Sequence, residues 1–465
     1  MTAQAKFLEG SLMRHVVGMS LAGSVGLLAI FLVDLVDMVF IAMLGQPELA
    51  AAVGYAATLQ FFVTSASIGL AITAGALVAR SLGVGDEPTA RRYATHVLIV
   101  AFGLIVTLVA VVLWFVTPLV TVLGARGETL GLTVIFLTIT LPAAPMMTMG
   151  MIGGAILRSH GDARRSTVAT VSGGAVNAVL DPIFIFGLDM GLAGAAWASA
   201  ISRAVLMAVA FWPLITTYGG FGRVRARAFL ADMRAIVAIA APAMLANSAT
   251  PVGNAYVIAT AAGFGEAAVA GMAVIGRVVP VAFAVVFALS GAVGPILGQN
   301  FGARRIDRVR DAYRDALIFV GVYTVLIVGL LWTLRWPLAG LFELDGLARD
   351  LLFLFAGPLS LLWFFNGVIF VGNAAFNNLA HPFYATWINW GRNTIGIFPF
   401  VWLGGQLFGA KGVLVGQLTG GVLAALVSLW LVERVMKEAA GGPPSGPFAH
   451  WELHRKMVQL FANRH

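Results

Sequence analysis

Residues 19–45 read MSLAGSVGLLAIFLVDLVDMVFIAMLG, and Asp34 and Asp37 are the only charged residues in the stretch. An apolar run of this length is read as a helix crossing a bilayer, because strands of a membrane barrel need only about ten residues. The reading extends to the whole chain. It has 465 residues, 60% hydrophobic and 11% charged, with a mean hydropathy of +0.92. A soluble fold of this size has too little interior to hide that much apolar surface. Backbone amides in lipid need partners within their own segment, so the expected class is an all-α polytopic membrane protein.

Apolar runs divided by Gly, Pro and charge predict twelve helices, over 14–44, 53–82, 92–118, 129–158, 165–188, 192–218, 235–262, 268–300, 309–334, 350–378, 383–408 and 411–435. Lys and Arg gather on alternate connections, in clusters such as Arg91–Arg92, Arg164–Arg165, Arg223–Arg227 and Arg304–Arg314. The intervening connections carry only Arg126, Arg335, Arg349 and Lys411. This bias places both termini in the cytoplasm, at the cell's inner membrane. The first residues lack a small-residue cleavage site and read as a short cytoplasmic start. The net charge of +8 then faces anionic lipid headgroups, and nucleic acid is not an expected partner.

The chain repeats itself at an offset near 219. Gly45 matches Gly265, Gly83 matches Gly302, Asp162 matches His381 and Gly194 matches Gly412. Each unit holds six helices, an even number, so the two share one topology and are related by an axis along the membrane normal. The expected domains are an N-terminal lobe (1–218), a cytoplasmic linker (219–234), a C-terminal lobe (235–436) and a basic cytoplasmic tail (437–465). In the tail, Trp451, Met457, Leu460 and Phe461 fall near one face of a surface helix. The chain is expected to act as a monomer.

No cysteine is present, and neither a G-x-x-x-x-G-K-[ST] loop nor an H-E-x-x-H motif occurs. These absences argue against ATP-driven or enzymatic work and against a bound cofactor. The deep acids remain. Asp34 and Asp37 share one face of the first helix. Asp181 directly precedes Pro182, which frees a carbonyl one turn earlier. Asn177 lies one turn before Asp181, and Ser199 and Arg203 form another i,i+4 pair. A charged carboxylate in a bilayer is costly and is kept for a purpose. Asp37, Asn177, Asp181 and Ser199 are therefore the candidate ion-coupling residues, for a proton or a sodium ion at Asp37, Asn177 and Asp181. Asp34 and Arg203 are accessory candidates. The plainer readings are that Asp34 reaches water at its helix end, and that Arg203 forms a static salt bridge with Asp37 or Asp181.

The segments FLVDLVDMVFIAMLG (31–45) and NAVLDPIFIFGLDMGLAGAAWASAIS (177–202) resemble the multidrug and toxic compound extrusion (MATE) family, and look closest to its DinF-like branch. The resemblance covers roughly residues 10 to 435. It implies two six-helix lobes in a V. It also implies export of cationic or amphipathic compounds in exchange for protons or sodium. The family's N-lobe ion site uses a first-helix Asp, a fifth-helix Asn and Asp, and a sixth-helix hydroxyl. These fall on Asp37, Asn177, Asp181 and Ser199. Relatives commonly carry a first-helix Pro, and here Gly23 and Gly26 are the only candidate hinge residues in its place. The rival readings are a lipid-linked precursor flippase of the same superfamily, an integral-membrane lipid-modifying enzyme, and a non-transporting scaffold.

Overall fold

The computed structural model describes residues 5–441, and its regular elements are all helical. The N-terminal lobe comprises α1 (Leu12–Met43), α2 (Pro47–Val84), α3 (Glu87–Trp114), α4 (Gly127–Ser159), α5 (Ala163–Gly187) and α6 (Gly191–Thr216). The C-terminal lobe begins with α7 (Ala226–Ala262), and α8 follows in two pieces, Glu266–Ala282 and Ala284–Gly302. Then come α9 (Ile306–Leu341) and α10, itself split into Gly346–Ala356 and Pro358–Asn378. Among the described residues, eleven helical stretches are long and apolar enough to cross a membrane.

The last of these, Pro382–Ala439, has 58 residues. At 1.5 Å per residue it would run roughly 87 Å, far beyond a hydrocarbon core of about 30 Å. Gly409 breaks it, with φ 59 and ψ −144. The chain turns back there, and α11 (382–408) packs against α12 (410–439). Their contact is backbone on backbone: a Cβ added to Gly412 or Gly420 would overlap the facing Gly404 or Gly396. Divided at Gly409, the described residues thus hold twelve stretches able to cross a membrane, as the apolar runs predict.

The two lobes are built alike. Thr167 on α5 donates to the Ala22 carbonyl on α1 at 2.7 Å, and Thr386 on α11 donates to the Pro242 carbonyl on α7 at 2.8 Å. A Pro-led 3-10 turn interrupts α4 at Leu141–Ala143, and another interrupts α10 at Pro358–Leu362. Between the lobes, a Cβ on Gly83 would strike the Gln299 carbonyl, while a Cβ on Gly302 would strike the Arg80 carbonyl. The residues exchange roles across the contact, which is the mark of a two-fold axis passing through it.

The lobes meet at the end that carries the N-terminus and the basic connections. Phe7 is 1% exposed there, and its amide donates to Gln299 Oε1 at 2.9 Å. Gln299 Nε2 in turn donates to the Ser159 carbonyl at 2.7 Å. Arg80 reaches across to the Asn378 and Asn377 carbonyls at 2.8 and 2.5 Å. Toward the opposite end the facing helices leave small and polar residues exposed: Gly54, Ala57 and Thr58 on α2, Asn254 and Ala255 on α7, Ala273 and Arg277 on α8. Lipid-facing α9 instead exposes Val322, Val325, Leu326 and Leu330. The same faces of α2 and α7 also expose Phe62 and Ile258, so the surface away from the basic end mixes small, polar and apolar groups.

Two boundaries are corrected. α7 starts at Ala226, so most of the predicted linker is helix and carries Asp232 into it; the connection after α6 is short. Asp232 is held there by His96 Nδ1 at 2.8 Å and Arg92 Nε at 2.9 Å, and these contacts tie α7 to α3. α12 runs to Ala439, and the surface helix expected in the tail lies outside the described residues.

Candidate ion-coupling site

Asp181 sits where α5 stops being a regular α-helix. Pro182 has no amide hydrogen to donate, and Ile183–Gly187 continues as a π-helix that ends with Leu188 N donating to the Ile183 carbonyl at 2.8 Å. Single π turns inside α-helices are frequent at functional positions. One turn earlier, Asn177 Nδ2 donates to Asp181 Oδ2 at 2.8 Å. The same amide donates across the helix interface to Asp37 Oδ1 and Oδ2 on α1, at 3.0 and 3.2 Å. One side-chain amide therefore joins two carboxylates from two helices.

The cluster is closed to solvent on the α5 side. Asp181 is 0% exposed and Asn177 4%. Asp181 Oδ1 is buried with no hydrogen-bond partner among the described residues. Among the described residues, no Lys, Arg or His lies within ion-pair distance of Asp37 or Asp181. Two like charges in a low-dielectric site repel, and one bound proton or one monovalent cation relieves that. The unpartnered Oδ1 is the acceptor available to such an ion. The two carboxylates are hard oxygen donors, as a proton or alkali cation requires; among the described residues no group of three or more His, Cys, Asp or Glu suits a transition metal.

The other predicted site residues are placed differently. The Ser199 hydroxyl makes no hydrogen bond to either carboxylate, and its carbonyl accepts from Ser202 at 2.8 Å. Arg203 forms no ion pair with Asp37 or Asp181, which corrects the salt-bridge reading. Its Nη1 donates to the Thr140 carbonyl at 2.6 Å and its Nη2 to Gln60 Oε1 at 2.9 Å. The cause is the break in α4: the Ala144 amide bonds to Leu141, leaving the Thr140 carbonyl free for the guanidinium. Asp34 is exposed on α1, within electrostatic reach of Arg203. α1 is one uninterrupted helix, and its two candidate hinge glycines are packing points, Gly23 against Ala288 and Gly26 against Thr170.

Sequence reasoning missed Gln60, although a lone amide in the apolar TLQFFV stretch was a visible signal. It also missed a polar pair in the C-lobe. There Arg392 on α11 donates to Asn366 Oδ1 on α10 at 2.6 Å, with no carboxylate in ion-pair range among the described residues.

The MatE family profile matches residues 24–183 and 242–402, one match in each lobe. The chain belongs to the MatE family. It is a membrane transporter and not an enzyme. The N-lobe match contains Asp37, Asn177 and Asp181. This MatE transporter is 29% identical to a FAD transporter of Shewanella oneidensis over 437 residues, covering 92% of this chain and 96% of that one. It is 26% identical to the multidrug export protein MepA of Staphylococcus aureus over 435 residues, covering 92% and 94%. Among solved structures, the MATE transporter VcmN of Vibrio cholerae superposes with a TM-score of 0.88 at 24% identity, covering 94% of this chain and 99% of that chain.

Proposed function

We propose that this MatE transporter is a secondary active exporter of the inner membrane, with both termini cytoplasmic. It exchanges cationic or amphipathic compounds for protons or sodium by alternating access. The basic connections support the orientation, because Lys and Arg are retained on the cytoplasmic side. The closed basic end then describes an outward-facing state. The observation that carries the coupling is the Asp37–Asn177–Asp181 cluster: two carboxylates on two helices, one shared amide, and an orphaned buried oxygen.

The cycle follows from which state binds what. In the outward-facing state, water in the cleft delivers the ion to the cluster. Neutralising it weakens the repulsion between α1 and α5 and lets α1 shift. Substrate leaves to the outside, and the lobes rock to reseal there. The ion is released to the cytoplasm and substrate re-enters. Coupling requires that ion and substrate prefer different states, and a hundredfold difference in affinity corresponds to about 2.7 kcal/mol.

The test is efflux of a fluorescent cation such as ethidium from proteoliposomes, with pH and sodium gradients imposed separately. The expected result is gradient-driven transport that Asp37→Asn and Asp181→Asn each abolish. Full gradient-driven transport in both variants would refute the mechanism.

A second substrate reading, an anionic amphiphile, is favoured by the cleft itself. Arg277 lies on the exposed face of α8, eleven residues or roughly 16 Å from the start of the helix at Glu266. An arginine at that depth must face water. The relative named a FAD transporter points to the same class of cargo.

A further inference from the structure

A cavity of about 650 Å³ opens at the basic end of the N-lobe, away from the ion site. Its rim is cationic: Lys6, Arg164 and Arg165 stand around a single carboxylate, Asp162. Its wall is apolar, with Val168 48% exposed and Trp212 72% exposed on the outer surface of α5 and α6. Charge at the helix ends above bare hydrocarbon and an interfacial tryptophan is the pattern of a headgroup boundary.

Asp162 is already engaged. It caps α5 through the Arg165 amide at 3.1 Å, pairs with Arg165 Nη1 at 3.2 Å and accepts from the Tyr218 hydroxyl at 2.9 Å. Two cations are left without a carboxylate among the described residues. Arg164 is exposed with no ion pair, and Lys6 Nζ is held only by the neutral Gly161 carbonyl at 2.9 Å. Gly161 permits that approach, since a Cβ there would fall 2.5 Å from Lys6 Cδ. His160 stacks on Tyr218 at 4.3 Å between ring centroids. Burial pushes the imidazole down to about 4, and burial with the Asp162 hydrogen bond pushes the phenol up to about 12. Both line the cavity as uncharged groups at cellular pH.

We infer that this cavity seats the phosphate of an anionic phospholipid, held by Lys6, Arg164 and Arg165, with its acyl chains running down Val168 and Trp212. The site also bears on transport, because Lys6 begins the strap that closes the basic end. The next residue, Phe7, is buried in the seam between the lobes; its carbonyl accepts from Asn300 Nδ2 and from Arg308 Nη2, each at 3.1 Å. Arg305 Nη1 donates to the Leu8 carbonyl at 2.7 Å. A lipid phosphate on Lys6 anchors the strap to the N-lobe while Phe7 and Leu8 engage the C-lobe. Bound lipid therefore favours the conformation with the basic end closed. None of this depends on the ion cluster, so it stands or falls apart from the antiport reading.

The experiment uses the full-length purified chain in detergent. Native mass spectrometry and thermal unfolding are followed with phosphatidylglycerol, phosphatidylcholine or inorganic phosphate added. Phosphatidylglycerol should give retained adducts and raise the melting temperature by several degrees, while the other two do neither. The Arg164→Gln/Arg165→Gln double variant should weaken the phosphatidylglycerol response at least tenfold, and Arg227→Gln, on an exposed linker-side residue, should leave it unchanged. Lys6→Gln, outside the helical bundle, gives the second readout. Spin labels at Pro88→Cys and Asp307→Cys report the basic-end distance. Phosphatidylglycerol should narrow it in the wild type and not in Lys6→Gln. An equal response to phosphatidylcholine, or a response to inorganic phosphate alone, would overturn the lipid assignment. An undiminished phosphatidylglycerol response in both rim variants would overturn the site.

Discussion

The two lobes share one architecture and differ in what they bury. In the N-lobe, α1 and α5 bring Asp37 and Asp181 to the amide of Asn177. In the C-lobe, α10 and α11 bring a guanidinium to an amide oxygen, Arg392 to Asn366. The hydrogen bonds that set α5 on α1 and α11 on α7 are equivalent, Thr167 to Ala22 and Thr386 to Pro242. Duplicated helix packing is thus shared, a guanidinium is held by neutral acceptors in each lobe, and the paired carboxylates belong to the N-lobe. In the proposed exchange, the symmetric frame lets the lobes rock as units, and the N-lobe carboxylates give one of them its response to a cation.

The largest predicted effect breaks the comparison at its amides. Asn177→Ala removes the single donor that both N-lobe carboxylates use. Gradient-driven ethidium transport should fall at least about tenfold, since an interaction with charged groups of about 1.5–3 kcal/mol is lost. Asn366→Ala, which removes the acceptor of Arg392 in the C-lobe, should leave the dependence on the gradient intact. If both variants lose gradient dependence equally, the division of labour between lobes is wrong.

The next effect sharpens the role of the C-lobe charge. Flavin mononucleotide and riboflavin differ by one phosphate, and both fluoresce. If the C-lobe arginines meet substrate, Arg277→Gln and Arg392→Gln should lower the affinity for flavin mononucleotide relative to riboflavin by about tenfold, or ~1.4 kcal/mol. Ethidium affinity should not fall. An unchanged ratio in both variants would leave the cationic substrate reading alone in the field.

A third test addresses the contact on the two-fold axis. A side chain at Gly83 meets the Gln299 carbonyl and carbon, so Gly83→Val cannot be accommodated without moving the lobes apart. Overpacking of this kind costs about 1–3 kcal/mol, enough to shift a two-state population by roughly five- to 150-fold. Spin labels at Pro88→Cys and Asp307→Cys should then report a wider basic end. The chain contains no cysteine, so the labels have no competitors. An unchanged distance distribution would mean that the glycine contact does not set the closed state.

Much of this was readable in the sequence, for identifiable reasons. A buried carboxylate in an apolar run is a local signal, so Asp37 and Asp181 stand out, and the Asn177 spacing follows from one helical turn. The repeat was legible because Gly83 and Gly302 are forced by close backbone approach. Arg203 was not, because its partner is a carbonyl freed by a break in another helix, and no pattern on α6 encodes that. That the Ser199 hydroxyl makes no hydrogen bond to Asp37 or Asp181 was not legible for a related reason: spacing fixes a face of α6 but not which neighbour that face meets. The linker was misjudged because Arg-rich polar residues suit the exposed start of α7 as well as they suit a loop.

The smallest effect concerns His160, in the turn between α4 and α5, and it separates lobe stability from transport. Burial holds its imidazole at about 4, against 6.5 for the free side chain. The unfolded chain therefore takes up a proton at a higher pH than the folded one. The sign follows: no penalty applies above pH 6.5, and stability is lost progressively as pH falls from 6.5 toward 4. The full gap corresponds to at most ~3 kcal/mol. Thermal unfolding in detergent between pH 7.5 and 4.5 should show the loss, and His160→Gln should reduce the slope while leaving transport at pH 7.5 unaltered. An identical slope in the variant would assign the acid sensitivity to other groups, and a transport defect at pH 7.5 would give this turn a part in the rocking of the N-lobe.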